Sequence, residues 1–312
     1  MYELIFLIAG LLGLIVGAYF VVKASVAIAQ HYKISQFFIG LTILAVGTDL
    51  PELVIIIKGG FYRLAGTETS GLMVGEILGS CFGQIALVLG ILGLFGTLIL
   101  TKRELKRDGL MLMVSVLLLF LVGFDGIITR FEGLIFIIIY LIYFYTIFRE
   151  EKVKEKVKRA PPINMRWVAL FLIIGFAFLI YSSDIVVANG IKLAVAWGLS
   201  QATIGILIIG LGTSLPEIAV SIGALFKGAF KLSVGNLIGS NIFDVLFVLG
   251  VGSTIAGFNI SQNLLKFDIP FLFLTSLFVV FLFAVRKKIK RKEAVVLIGI
   301  YGAYAALKII GF

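Results

Sequence analysis

The sequence predicts an all-α polytopic membrane protein, with ten transmembrane helices arranged as two inverted-topology five-helix repeats, each carrying a broken helix. Three observations predict it. Of 312 residues, 61% are hydrophobic and only 14% charged, with a mean hydropathy of +1.15. The apolar stretches run to about 20 residues, without the alternating polarity of a transmembrane barrel. The hexapeptide Gly47-Thr48-Asp49-Leu50-Pro51-Glu52 returns 165 positions later as Gly212-Thr213-Ser214-Leu215-Pro216-Glu217, each time inside such a stretch.

Taken in order, the stretches of spanning length fall at residues 3–22, 36–62, 69–99, 109–124, 131–148, 167–188, 199–226, 232–257, 268–285 and 293–310. The first is expected to stay in the protein rather than be cleaved as a signal, because Glu3 and not a basic cluster precedes it and its apolar run reaches almost to Lys23. Between the fifth and sixth stretches, charges crowd from Arg149 to Arg166 and Pro161-Pro162 stop any helix. The chain therefore divides into a first repeat, 1–149, a cytoplasmic basic linker, 150–166, and a second repeat, 167–312. Glu150, Glu151 and Glu155 interleave with the basic residues of the linker and favour a solvated connector over an anionic-lipid site.

Loop charge sets the expected orientation. With the N-terminus outside, every one of the 27 Lys and Arg residues falls in inner loops except Lys58, Arg63, Arg130, Lys192, Lys266 and Lys308, which the positive-inside rule strongly prefers to the inverse. A multi-pass protein of the cell membrane with both termini outside is the result. The net charge of +10 is thus mainly a topology signal, and nucleic-acid binding is excluded because it needs a soluble basic face. A single cysteine, Cys81, excludes an intramolecular disulfide, and a single histidine, His31, near a loop, excludes a multi-histidine metal site.

The halves correspond in detail. Ser35-Gln36, Gly40 and Gly47 match Ser200-Gln201, Gly205 and Gly212 at an offset of 165. Gly75, Gly79, Ser80, Val88, Leu89 and Gly90 match Gly235, Gly239, Ser240, Val248, Leu249 and Gly250 at an offset of 160. Five spans per half is an odd number, so the second half enters the membrane with the opposite polarity, the plan of many secondary transporters.

Within that plan the hexapeptides carry the chemistry. A carboxylate at bilayer depth costs about 3 kcal/mol on insertion scales and is kept there by a partner, a cavity or an ion. Pro51 and Pro216 have no N–H to offer the carbonyls of Gly47 and Gly212, so each helix is expected to break there. Freed carbonyls around Gly47, Thr48, Gly212 and Thr213, together with Glu52 and Glu217, make a shell of hard oxygens. Such a shell suits Ca²⁺, which takes six to eight oxygens in flexible geometry, better than Mg²⁺, which holds its water. Further side-chain oxygens come from Glu76, Ser80 and Gln84, spaced along one helical face, and from Asn236, Ser240 and Asp244. Gly75-x-x-x-Gly79 and Gly235-x-x-x-Gly239 let those helices approach a neighbour closely. The competing readings are simple proline kinks, paired structural acids, serine hydroxyls spent on interhelical bonds, and Gln84 as packing.

Two repeats carrying Gly-Thr-Ser-x-Pro-Glu and Gly-Asn-x-x-Gly-Ser-Asn-x-x-Asp resemble the alpha-repeats of the calcium/cation antiporter superfamily, closest to its sodium/calcium exchanger branch. The resemblance spans all ten stretches. It implies antiport of Ca²⁺ against Na⁺ by alternating access, with ion sites at mid-membrane between the repeats. It further implies Glu52 and Glu217 as central Ca²⁺ ligands, helped by the backbone carbonyls of Thr48 and Thr213, with Ser214, Ser80, Ser240 and Asp244 completing the Ca²⁺ and Na⁺ sites.

The first half departs from the family pattern at three positions. Asp49 stands in place of Ser, Glu76 in place of Asn, and Gln84 in place of Asn or Asp. Extra acids in one cavity can carry protons, so a Ca²⁺/H⁺ exchanger is the alternative, with Asp49 and Gln84 kept among the candidate ion-site residues. Asp49 has a second reading as the cap of the broken helix. An intramembrane protease is disfavoured, since no histidine lies at depth to pair with a serine and an aspartyl enzyme does not require paired Pro-Glu breaks. A passive channel is separated from an antiporter only by dependence on a counter-gradient. The expectation is thus a non-enzymatic transporter with no cofactor, whose partners are its ions and the lipid bilayer, with no protein partner implied.

Overall fold

The computed structural model describes residues 2–150, 164–196, 212 and 214–310. Most of the linker and the stretch from 197 to 211, including Ser200, Gln201 and Gly205, lie outside the described residues, as does Thr213. The helices in chain order are α1 (Tyr2–Tyr32), α2 (Gln36–Thr48), α3 (Leu50–Leu64), α4 (Ser70–Phe95), α5 (Lys102–Asp125) and α6 (Arg130–Glu150). After the linker come α7 (Met165–Ala196), α8 (Leu215–Phe226), α9 (Phe230–Ala256), α10 (Leu264–Arg286) and α11 (Arg291–Ile310). Seven of the described helices are long and apolar enough to cross a bilayer, or eight if the bent pair α2 and α3 counts as one span. The protein is a multi-pass helical membrane protein.

Helix ends differ from the apolar limits for a local reason. Hydropathy tracks the bilayer, whereas a helix runs until its backbone is capped. Helix α5 begins seven residues before the expected 109, because Thr101 caps it in a reciprocal box with Glu104. Helix α1 continues past Lys23 to Tyr32, held by buried Ala24, Ser25, Ile28 and Ala29.

Glycine sets two close crossings. A Cβ on Gly17 would stand 2.9 Å from the carbonyl oxygen of Gly175, so α1 and α7 meet backbone to backbone. Helices α2 and α9 cross in the same way: a Cβ on Gly40 would strike the Leu232 carbonyl, one on Gly235 the Phe37 carbonyl, and one on Gly239 would lie 2.6 Å from the Leu41 carbonyl. This is the approach expected of the Gly235-x-x-x-Gly239 spacing.

The two halves of the chain are also joined by main-chain pairs. Strands β1 (Ile127–Ile128) and β2 (Phe258–Asn259) pair antiparallel, and Leu98 forms a separate antiparallel bridge with Ile289. In the second case the two N–H groups and carbonyls exchange hydrogen bonds of 3.0 Å in both directions.

Two buried aspartates fasten the outer helices to the bundle. The Tyr143 hydroxyl of α6 donates to Asp108 Oδ1 of α5 at 2.7 Å, and the Tyr304 hydroxyl of α11 donates to Asp268 Oδ1 of α10 at 2.7 Å. Each carboxylate also has a cation: Arg107 Nε at 2.7 Å from Asp108 and Lys308 Nζ at 2.7 Å from Asp268. Removing either phenolic hydroxyl strips a charge-assisted bond from a buried acid, which costs about 1–3 kcal/mol. Tyr143→Phe and Tyr304→Phe are therefore expected to lower the melting temperature in detergent by similar amounts; an unchanged melting temperature in both would show the pairs to be energetically idle.

Candidate ion-binding centre

Both hexapeptides break their helices with the same backbone geometry. Asp49, preceding α3, has φ −82° and ψ 7°; Ser214, preceding α8, has φ −83° and ψ 6°. Two residues after each comes a proline, Pro51 or Pro216, in the first turn of the next helix, where a missing N–H does no harm. Across the first break, α2 and α3 are bent by 45°. The Thr48 hydroxyl donates back to the Leu44 carbonyl of its own helix at 3.0 Å, which spends its hydrogen and leaves its oxygen as an acceptor.

The breaks deliver three carboxylates to one point. Oxygens of Asp49, Glu52 and Glu217 all lie within 4.8 Å of one another, and all three residues are fully buried. None of their six carboxylate oxygens has a hydrogen-bond partner. Asp49 makes no side-chain cap to α3, which removes the capping alternative.

Beside the carboxylates lies a polar network contributed by both halves. The hydroxyls of Ser80 and Ser214 are 2.8 Å apart, and Ser80 Oγ is 3.5 Å from Asp244 Oδ2. Gln84 donates through Nε2 to Ser80 Oγ at 3.1 Å. Ser240 is buried with its hydroxyl unpartnered, and Asp244 keeps one oxygen unpartnered. The α4 and α9 helices widen to π geometry at Gly83–Val88 and Asp244–Val248, so Gln84 and Asp244 sit at equivalent bulges. Such bulges often mark functional sites.

Of the ten residues expected from the sequence, the structure gathers Asp49, Glu52 and Glu217 in one cluster and Ser80, Gln84, Ser214 and Asp244 in the adjoining network. Thr48 and Ser240 are buried on the same helices. One contributor was missed. Asn241 Nδ2 donates to Gln84 Oε1 at 2.8 Å and to the Leu237 carbonyl at 2.8 Å, holding Gln84 so that its amide faces Ser80. Its signal was the asparagine next to Ser240 in the second motif.

Ionised, such a cluster requires a countercharge. Two carboxylates within 4.8 Å repel by about 3 kcal/mol even at an effective dielectric constant of 20. Six oxygens without donors are an acceptor-only lining, suited to a hard cation.

Comparison with known proteins agrees with this chemistry. The family model described as sodium/calcium exchanger protein matches residues 2–149 and 167–310. A putative antiporter, CaxA, of Alkalimonas amylolytica is 35% identical over 261 residues, which cover 81% of this chain and 80% of that protein. The sodium/calcium exchanger MaX1 of Methanosarcina acetivorans is 27% identical, covering 96% of each chain. Among solved structures, the sodium-calcium exchanger NCX_Mj, in crystals soaked with Na⁺ and Sr²⁺, superimposes with a TM-score of 0.85 at 28% identity over 98% of both chains. With the fold and both halves of the sequence matched, this chain belongs to the sodium/calcium exchanger protein family.

Proposed function

We propose that this cation antiporter exchanges Ca²⁺ for Na⁺ across the cell membrane by alternating access, its centre opening in turn to either side. The observation that carries the reading is the cluster of Asp49, Glu52 and Glu217, buried and without donors. Ca²⁺ accepts several carboxylates and carbonyls at once and supplies two of the missing positive charges. Glu52 and Glu217, with the carbonyls of Thr48 and Thr213, are its ligands; Ser80, Ser214, Ser240, Gln84 and Asp244 complete the cation sites. No cofactor takes part: the ions are the substrates.

Ten helices in two inverted five-helix repeats, 1–149 and 167–312, follow from the same reading. It is supported by the equal dihedrals at Asp49 and Ser214, by the matched π segments, and by the matched Asp–Tyr pairs. With both termini outside, the linker 150–166 is cytoplasmic and the Ser70 end of α4 faces outward. A second reading, Ca²⁺/H⁺ exchange, is favoured by one observation: Asp49 adds a third carboxylate to the cluster at the position matched by uncharged Ser214.

Uptake of ⁴⁵Ca²⁺ into proteoliposomes decides the coupling. An outward Na⁺ gradient is expected to drive uptake that an imposed pH gradient does not; the reverse result assigns the protein to proton exchange. Glu52→Gln and Glu217→Gln are each expected to abolish Ca²⁺ exchange while yielding folded protein, since each removes a charge and a ligand oxygen from the cluster. Near wild-type exchange in both would remove the shared centre. Asp49→Ser, which gives the first half the residue of the second, is expected to keep exchange but raise the Ca²⁺ concentration for half-maximal rate about tenfold, the effect of roughly 1.4 kcal/mol of lost attraction. An unchanged concentration would place Asp49 outside the ion's influence.

A further inference from the structure

One buried acid stands apart from the cluster. Glu76 lies on α4 one helical turn before Ser80, is only 7% exposed, and neither of its carboxylate oxygens has a hydrogen-bond partner. No Lys or Arg pairs with it among the described residues.

The corresponding place in the second half is built differently. At the offset of 160, Glu76 corresponds to Asn236, whose Nδ2 donates to Ser221 Oγ at 3.2 Å. At the offset of 165, Ser221 corresponds to Ile56, a fully buried apolar side chain. The first half has therefore lost a hydroxyl partner and gained a charge. A structural acid would be expected to keep a donor or a cation, as Asp108 and Asp268 do. An anion buried with neither leaves its countercharge to be supplied from outside the chain.

We infer that Glu76 is a separate binding stop for a divalent cation, Ca²⁺ in the first instance, on the route between the Ser70 end of α4 and the central carboxylates. The inference rests on the proposed transport reading, which places the Ser70 end outside. Ca²⁺ engages a carboxylate through one or both oxygens and fills the rest of its shell with water, so a single acid suffices for a weak stop that passes its ion onward. The matching stop on the inner route, at Asn236, carries no charge. The two faces of the protein then differ in their apparent affinity for Ca²⁺ although the central cluster is common to both.

The test compares Glu76→Gln and Glu76→Asn with wild type in right-side-out and inside-out membrane vesicles, reading the Ca²⁺ concentration for half-maximal exchange at each face. The expected result is a ten- to hundredfold rise at the outer face alone, with the inner face unchanged. Glu76→Asn reproduces the residue of the second half, and melting temperatures in detergent identify any variant that fails to fold. An equal shift at both faces makes Glu76 part of the central cluster and overturns the separate stop; no shift at either face in two folded variants overturns it outright. A shift confined to the inner face overturns the outer placement. Wild-type protein that exchanges no Ca²⁺ at either face overturns the transport reading itself, a failure distinct from these.

Discussion

Three carboxylates held together in a low-dielectric interior are the constraint on which the rest of the centre depends. The protein shows how it treats a buried acid meant to stay closed: Asp108 and Asp268 each receive a phenolic hydroxyl and a cation. Asp49, Glu52 and Glu217 receive neither. When they are ionised, their mutual repulsion has to be opposed by the packing around them, and the glycine-lined crossing of α2 and α9 is where backbones pack tightly. Any cation that bound the folded cluster and not the unfolded chain would stabilise the fold by mass action.

The central cluster was legible in the sequence because its causes are local. A proline four residues after the glycine that leads each hexapeptide breaks the helix, and an acid next to the break has little freedom to lie elsewhere. Ser80 and Gln84 were legible from their four-residue spacing alone. The Asp–Tyr pairs were not: Tyr143 and Tyr304 stand 35 and 36 residues from their acids, and a tyrosine in an apolar helix reads equally as packing or as an interface anchor. Asn241 escaped because it neighbours Ser240 on a different helical face, and only the fold brings it to Gln84. The helix limits of α1 and α5 escaped because capping and packing, rather than hydropathy, end a helix.

Backbone and charge follow different symmetries. The dihedrals at Asp49 and Ser214 agree within a degree, and the π segments of α4 and α9 coincide. The side chains at matched positions do not agree: Asp49 matches Ser214, Glu76 matches Asn236, and Gln84 matches Asp244. Backbone geometry is dictated by proline, glycine and close packing, which both halves must keep in order to cross each other. Charge at these positions is not fixed by the backbone, so it differs between halves while the backbone geometry stays the same.

The main-chain pairs between the halves carry a consequence for how such a chain could arise. Ile127 and Ile128 against Asn259 and Phe258, and Leu98 against Ile289, are stitches of N–H and carbonyl groups that any residue but proline supplies. At the offsets of 160 and 161 the two stitches are the same contact made twice, with the roles of the halves exchanged. Two separate half-length copies related by a two-fold axis would find both stitches already available, with no covalent connection between them. The connecting segment adds nothing to that seam, whose hydrogen bonds are indifferent to which side chains other than proline occupy it.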